Sequence, residues 1–168
     1  MSGAANPKLG LRPALPADGP LLIAIFRASI AELTCDDYSE AQRDAWASAA
    51  DDEDAFLRRV TGNLALVATL GGSPIAFATL KGNRIIDMLY VHPAAAGRGA
   101  ASLLCDALEK LAAGRGADSI AVEASDTAKG FFEKRGYVPK LRNTVMCNDE
   151  WLANTSMDKP LARKGEAS

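Results

Sequence analysis

What the chain has little of narrows it first. Histidine occurs once, as His92, and cysteine three times, as Cys35, Cys105 and Cys147, far apart in the sequence. Such a set gives neither the ligand spacing of a zinc site nor a disulfide framework, so the thiols read as free, in a reducing compartment. Lys and Arg number 19 against 21 Asp and Glu, a net charge of −2 with no basic cluster, so nucleic acid is not an expected partner. No apolar run is long enough to span a membrane, and Met1 to Lys8 lacks the apolar centre of a secretory signal. The expected location is the cytoplasm. Repeats, low-complexity tracts and linkers are also missing, and 168 residues suit one domain with a full core, expected over 9–161. Residues 1–8 and 162–168 are expected to be flexible ends.

The most informative stretch runs from Ile85 to Leu111. It begins with Ile85, Ile86, Met88, Leu89, Tyr90 and Val91, an apolar run too short for a globular helix and stopped by Pro93, which predicts a strand buried on both faces. It ends with Leu104, Leu108 and Leu111 at helical spacing. Between them stand Gly97, Arg98, Gly99, Ala100, Ala101 and Ser102, small residues apart from the arginine. A strand, a small-residue loop and a helix N-terminus make an anion cradle, because backbone N–H groups point outward and no side chain blocks a phosphate.

Around this stretch the chain reads in order. Leu9 to Arg12 suits a first strand, and Asp18 with Pro20 opens a helix running to about Thr34. Ser39 and Gln42 form a capping box for a second helix carrying Trp46. Asp51 to Asp54 reads as a solvated turn with a cap at Asp54, ahead of a short helix ending near Gly62. Leu64–Leu70, Pro74–Leu80 and the Ile85 strand, separated by Gly71-Gly72-Ser73 and Gly82-Asn83, predict an antiparallel meander. Ser119–Ala124 follows a helical crossover, which predicts parallel pairing with the Ile85 strand. Asp126 or Thr127 is expected to cap a helix holding Phe131 and Phe132. Tyr137–Val145 and Trp151–Met157 read as a closing antiparallel pair.

This order of elements resembles the GNAT superfamily of acetyl-CoA-dependent N-acetyltransferases. Its acyl-CoA motif, Gln/Arg-x-x-Gly-x-Gly/Ala, matches Ala96 to Ala101, and E-A-S-D-T-A-K-G-F-F-E-K-R-G-Y matches its strand-to-helix segment over the pantetheine arm. With Y-S-E-A-Q-R-D-A-W-A and N-T-S-M-D-K-P-L the likeness is closest to the bacterial YafP-like branch. The resemblance implies a mixed α/β fold, its mostly antiparallel sheet flanked by helices and splayed at one parallel pair to admit acetyl-CoA. It further implies transfer of acetyl to a primary amine, here expected to be a small molecule, with no metal. The dimers frequent in the family leave a homodimer open.

Site residues follow from the same resemblance. Backbone amides around Leu89, Tyr90 and Val91 meet the acetyl and pantetheine groups. The amides of Arg98 to Ser102, with the Ser102 hydroxyl, take the pyrophosphate. Ser125 stands where relatives often carry an asparagine that bonds pantetheine, against the plainer reading of a helix cap. Two departures stand out: Ala96 replaces the opening Gln/Arg, and Phe132 stands where many relatives have a tyrosine that protonates the leaving thiolate. Phenylalanine has no proton to give.

In such a reaction the amine attacks the thioester directly, and the protein must position it and remove its proton. Asp87, a carboxylate inside an apolar strand, is costly to desolvate unless partnered. It reads either as the general base, direct or through water, or as half of a structural pair with a neighbouring arginine such as Arg84. Tyr90 reads as core or as the missing acid, and Tyr38 as that acid or as pocket lining. His92, in a V-H-P turn, reads as structural, and Trp46 and Trp151 as core or pocket wall. Two rivals remain. One is an acyl-CoA-binding sensor without turnover, supported by Phe132. The other is a dinucleotide-binding oxidoreductase with Glu123 on the ribose, weakened because Ser102 replaces its third glycine.

Overall fold

The computed structural model describes residues 8–162. The expected flexible ends fall outside these residues except for Ala162 and Lys8, and the Lys8 carbonyl accepts from Gly71 N–H at 3.2 Å. In chain order the elements are β1 (Leu9–Pro13), α1 (Gly19–Leu33), α2 (Glu40–Ala47), α3 (Glu53–Thr61), β2 (Leu64–Leu70), β3 (Ser73–Lys81), β4 (Ile85–Val91), α4 (Ala100–Gly114), β5 (Ser119–Ser125), α5 (Lys129–Lys134), β6 (Val138–Cys147) and β7 (Glu150–Pro160). No described helix is long and apolar enough to cross a membrane.

The strands form one sheet in the order β1-β2-β3-β4-β5-β7-β6. Every neighbouring pair is antiparallel except β4 and β5. That parallel pair holds at Ile85↔Ala121 and Ile86↔Val122 and nowhere further. Beyond these residues the two strands diverge, and the sheet opens.

Helices cover both faces. On one face α4 buries Leu104, Cys105 and Leu108 against Ala76, Ala78, Leu80, Ile120 and Val122. On the other α1 and α3 bury Leu22, Phe26, Ile30, Phe56 and Val60 against Val67, Phe77 and Met88. Glu109 of α4 gathers Tyr137 Oη (2.8 Å), Lys159 Nζ (2.9 Å) and Arg135 Nη2 (3.1 Å), which ties the C-terminal elements to that helix.

Two local details shape the site. The β3–β4 register steps between Thr79↔Met88 and Leu80↔Ile86, leaving Asp87 as the extra residue of a β-bulge. A bulge changes the phase of a strand. Ile86 accordingly packs in the α4 layer while Met88 packs in the α1/α3 layer. Second, β4 is not buried on both faces as its apolar run predicts: Ile86 and Met88 are buried, but Ile85 is 41% exposed and Leu89 to Val91 are half-buried. The reason is the splay, which gives the far half of the strand a cleft in place of a neighbour.

The helix starts show where local signals hold and where tertiary partners override them. The Ser39/Gln42 box forms in both directions, at 3.1 and 2.9 Å. Asp18 occupies the cap of α1, but its carboxylate turns instead to Arg12 (2.7 Å) and the Leu15 amide (2.7 Å). The α3 cap is Asp52, accepting from Ala55 N–H at 3.0 Å, two residues ahead of the expected Asp54.

Candidate active site

The splay of β4 and β5 opens a cleft of about 380 Å³, walled by residues from both helical layers. That volume falls within the range of small-molecule ligand pockets.

At one end lies the glycine loop. Gly97 (φ +80°) and Gly99 (φ +86°) both adopt left-handed backbone. A Cβ at Gly97 would meet nothing within 4 Å, so conformation rather than crowding demands glycine there. Helix α4 begins at Ala100 with no side-chain cap. Leu103 N–H bonds to Gly99 O at 3.0 Å. The amides of Ala100, Ala101 and Ser102 have no carbonyl one turn earlier inside the helix, the arrangement that binds anions. Arg98 stands apart, because its own amide reaches Ala95 O at 3.4 Å, and the cradle narrows to Gly99–Ser102.

Along the cleft run Leu89, Tyr90 and Val91 on β4, with Ser125, Phe131 and Phe132 opposite. Ser125 Oγ accepts from Ala128 N–H at 3.1 Å and closes the turn before α5, and the helix itself has no side-chain cap, neither Asp126 nor Thr127 supplying one. Asp126 instead pairs with Arg142 (2.8 and 3.0 Å), and Thr127 donates to Asp37 at 2.8 Å. Phe132 is 2% exposed and packs on Phe131 and Tyr137, with ring centroids 5.2 and 5.0 Å away.

The other half of the cleft belongs to α1, α2, α3 and the β6–β7 hairpin. Tyr90 Oη accepts the indole N–H of Trp46 at 3.2 Å, and burial pushes the Tyr90 hydroxyl up to about 12. Tyr90 therefore holds its proton at neutral pH. Tyr38 is 5% exposed; its hydroxyl donates to Ala153 O (2.6 Å) and accepts from Asp126 N–H (2.9 Å). Burial raises its pKa, against the opposing bond from the Asp126 amide. With its proton on Ala153, Tyr38 clamps the α1–α2 link to β7 and to the turn after β5.

Asp87 faces α3. Arg59 Nε meets its Oδ2 at 2.9 Å and Nη2 meets Oδ1 at 3.2 Å, and this bonding raises the Arg59 pKa. The expected neighbour Arg84 is exposed and contributes backbone bonds, its carbonyl accepting from Ala121 N–H at 2.8 Å. Sequence proximity suggested Arg84; the bulge aims Asp87 at a helix 28 residues away. His92 is a turn residue, its Nδ1 accepting from Ala94 N–H at 3.1 Å. Trp46 lines the cleft, whereas Trp151 is 57% exposed on the hairpin and forms neither core nor wall.

Arg59 and Cys147 also line the cleft, and neither carries a sequence signal that singles it out. Glu123, which the dinucleotide reading placed on a ribose, lines the cleft as well. It follows Val122 on β5 just as Asp87 follows Ile86 on β4.

The comparisons agree with this architecture. The acetyltransferase (GNAT) domain pattern matches residues 34–161. The uncharacterised N-acetyltransferase YafP of Escherichia coli (strain K12) is 32% identical over 142 residues, covering 84% of this chain and 89% of YafP. A crystal structure from Rhodopseudomonas palustris is 57% identical, covers 95% of this chain and 100% of its own, and superposes with a TM-score of 0.91. It is described as a GCN5-related N-acetyltransferase and, in the same words, as a class-II aminotransferase. The second description finds no support in the present cleft, where no lysine stands among the described lining residues to hold an aminotransferase cofactor. The PaiA N-acetyltransferase of Thermoplasma acidophilum, solved with coenzyme A, shares the fold at 18% identity, with a TM-score of 0.73 over 91% of this chain and 99% of its own. Fold order, domain pattern and a relative above 30% identity over most of both chains converge: the chain belongs to the GNAT acetyltransferase family.

Proposed function

We propose that the protein transfers acetyl from acetyl-CoA to the primary amine of a small molecule, both held in the cleft at once. The observation that carries this reading is the two-residue β4–β5 pairing, which opens a slot beside an uncapped helix N-terminus preceded by two left-handed glycines. Phosphate oxygens suit the Gly99–Ser102 amides, and the slot suits an extended arm. Leu89 to Val91, Ser125 and Phe132 would line that arm.

The chemistry divides among three side chains. Asp87 accepts the proton of the incoming ammonium, directly or through water, using lone pairs that Arg59 leaves open. Tyr90 returns a proton to the departing thiolate, because its oxygen accepts from Trp46 and its own proton meets no acceptor among the described residues. Tyr38, the other phenol in the cleft, positions walls and is not assigned the proton. This distribution accounts for Phe132, whose packing against Phe131 and Tyr137 gives α5 a structural residue where many relatives have the acid.

A dinucleotide oxidoreductase is disfavoured by the antiparallel β2–β3–β4 meander, which lacks the repeated βαβ units such a site needs. The deciding experiment is calorimetric titration with acetyl-CoA, NADH as control, followed by an amine screen read by mass spectrometry of the acetylated product. Micromolar acetyl-CoA binding that Gly99→Glu abolishes in a folded protein is the expected result. Binding without transfer to any amine would make the protein a sensor, and NADH binding would revive the dinucleotide reading.

A further inference from the structure

The polar groups on the acceptor side of the cleft describe the acceptor. Among the described residues lining it, Arg59 is the only lysine or arginine, and its carboxylate companions are Asp87 and Glu123. Guanidinium is a planar fork with five donors. Asp87 occupies one edge, Nε with Nη2. The other edge, Nη1 with the second Nη2 hydrogen, meets no protein acceptor among the described residues, and the side chain is 51% exposed. An arginine with one edge fixed and the next open is a preset carboxylate receptor, because its rotamer is already held by the first pair.

We infer that the acceptor is an amine that carries a carboxylate, an amino acid or close analogue, whose carboxylate docks on the open edge of Arg59 while its amine docks on Asp87. This rests on the acetyl-transfer reading above. Arg59 and Asp87 side by side present a positive and a negative group at contact distance, the mirror of a zwitterion. Glu123, which has no partner among the described residues, stands at the level of Asp87 across the splay and reinforces the amine end. Charge also argues against the other amine classes. A polyamine would set its second cation against Arg59, and a protein lysine or N-terminus brings no carboxylate of its own to that edge. The remaining walls, Ile30, Leu33, Trp46 and Leu152, suit an apolar side chain.

The test compares apolar amino acids with their amides, their decarboxylated amines and a diamine, with acetyl-CoA as donor and product read by mass spectrometry. The amino acids are expected to exceed their amides in kcat/KM by about ten- to hundredfold, the range of a charge-assisted hydrogen-bonded pair. Arg59→Met should erase that preference, Arg59→Lys should retain part of it, and acetyl-CoA affinity by calorimetry should stay unchanged in both. Amides or diamines acetylated as fast as amino acids would overturn the inference. So would an Arg59→Met protein that loses activity equally toward amino acids and amides, since Arg59 would then only position Asp87. Acetyl-CoA binding without transfer to any carboxylate-bearing amine sinks this inference alone. Failure to bind acetyl-CoA sinks the transfer reading with it.

Discussion

Trp46 donates its indole N–H to the phenolic oxygen of Tyr90 at 3.2 Å, which leaves the Tyr90 proton pointing elsewhere. The pair is also packed, with ring centroids 6.3 Å apart, and Phe26 closes on Tyr90 edge-on at 4.7 Å. In the proposed reading this phenol supplies the proton to the thiolate. Tyr90→Phe keeps the ring and removes the proton, so turnover should fall on the order of 100-fold while acetyl-CoA affinity holds. Calorimetry and steady-state kinetics on the same preparation check this. Unchanged turnover would show that the thiolate leaves unassisted.

Asp87→Asn preserves shape and removes the charge. Turnover is expected to fall roughly 10²–10⁴-fold, the usual contribution of a positioned base, with cofactor affinity intact. Stability should change little, since Arg59 is half-exposed and water can solvate it. Glu123→Gln serves as the comparison. A larger loss there than at Asp87 would move the base to β5.

Tyr38→Phe leaves Ala153 O and Asp126 N–H without their partner in a buried setting. The expected cost is about 1–2 kcal/mol in denaturant unfolding. Because that hydroxyl pins the α1–α2 link across the cleft, KM for the acceptor should rise more than kcat falls. A change in kcat alone would make Tyr38 a proton donor after all.

Stability should fall at alkaline pH. Burial pushes Tyr90 from 10.0 to about 12 and Cys105 from 9.0 to about 12. Both groups bind their protons more tightly folded than unfolded. Their contribution is complete below the unfolded values and is lost as pH rises toward the folded ones. The denaturant midpoint should therefore drop between pH 9 and 12, and Cys105→Ala should flatten the early part of that drop. A midpoint constant across this range would contradict the assignment.

The parts of this molecule that could be read from its sequence are those whose causes lie close together in the chain. Ser39 and Gln42 cap each other across three residues, and Gly97 and Gly99 sit in the loop that needs their backbone freedom. The parallel placement of β5 follows from a helical crossover alone. The parts that stayed hidden have distant causes. The bulge at Asp87 inserts one residue into an apolar run that looks uniform, and its ion-pair partner comes from α3. Helix α5 starts without a side-chain cap, Asp126 and Thr127 having found partners in Arg142 and Asp37. Trp151 is an aromatic in an apolar strand pattern, yet it sits on the open face of a hairpin.

A strand edge without a neighbour is ordinarily a hazard, because it recruits strands from other molecules. Past Ile86 and Val122 this sheet keeps two such edges inside itself, facing each other and walled by helices on both sides. A thin, flexible guest with amide groups of its own would match both edges. In the acetyl-transfer reading, the stickiness that proteins usually suppress at a sheet margin would be enclosed here and serve a ligand shaped like a length of backbone.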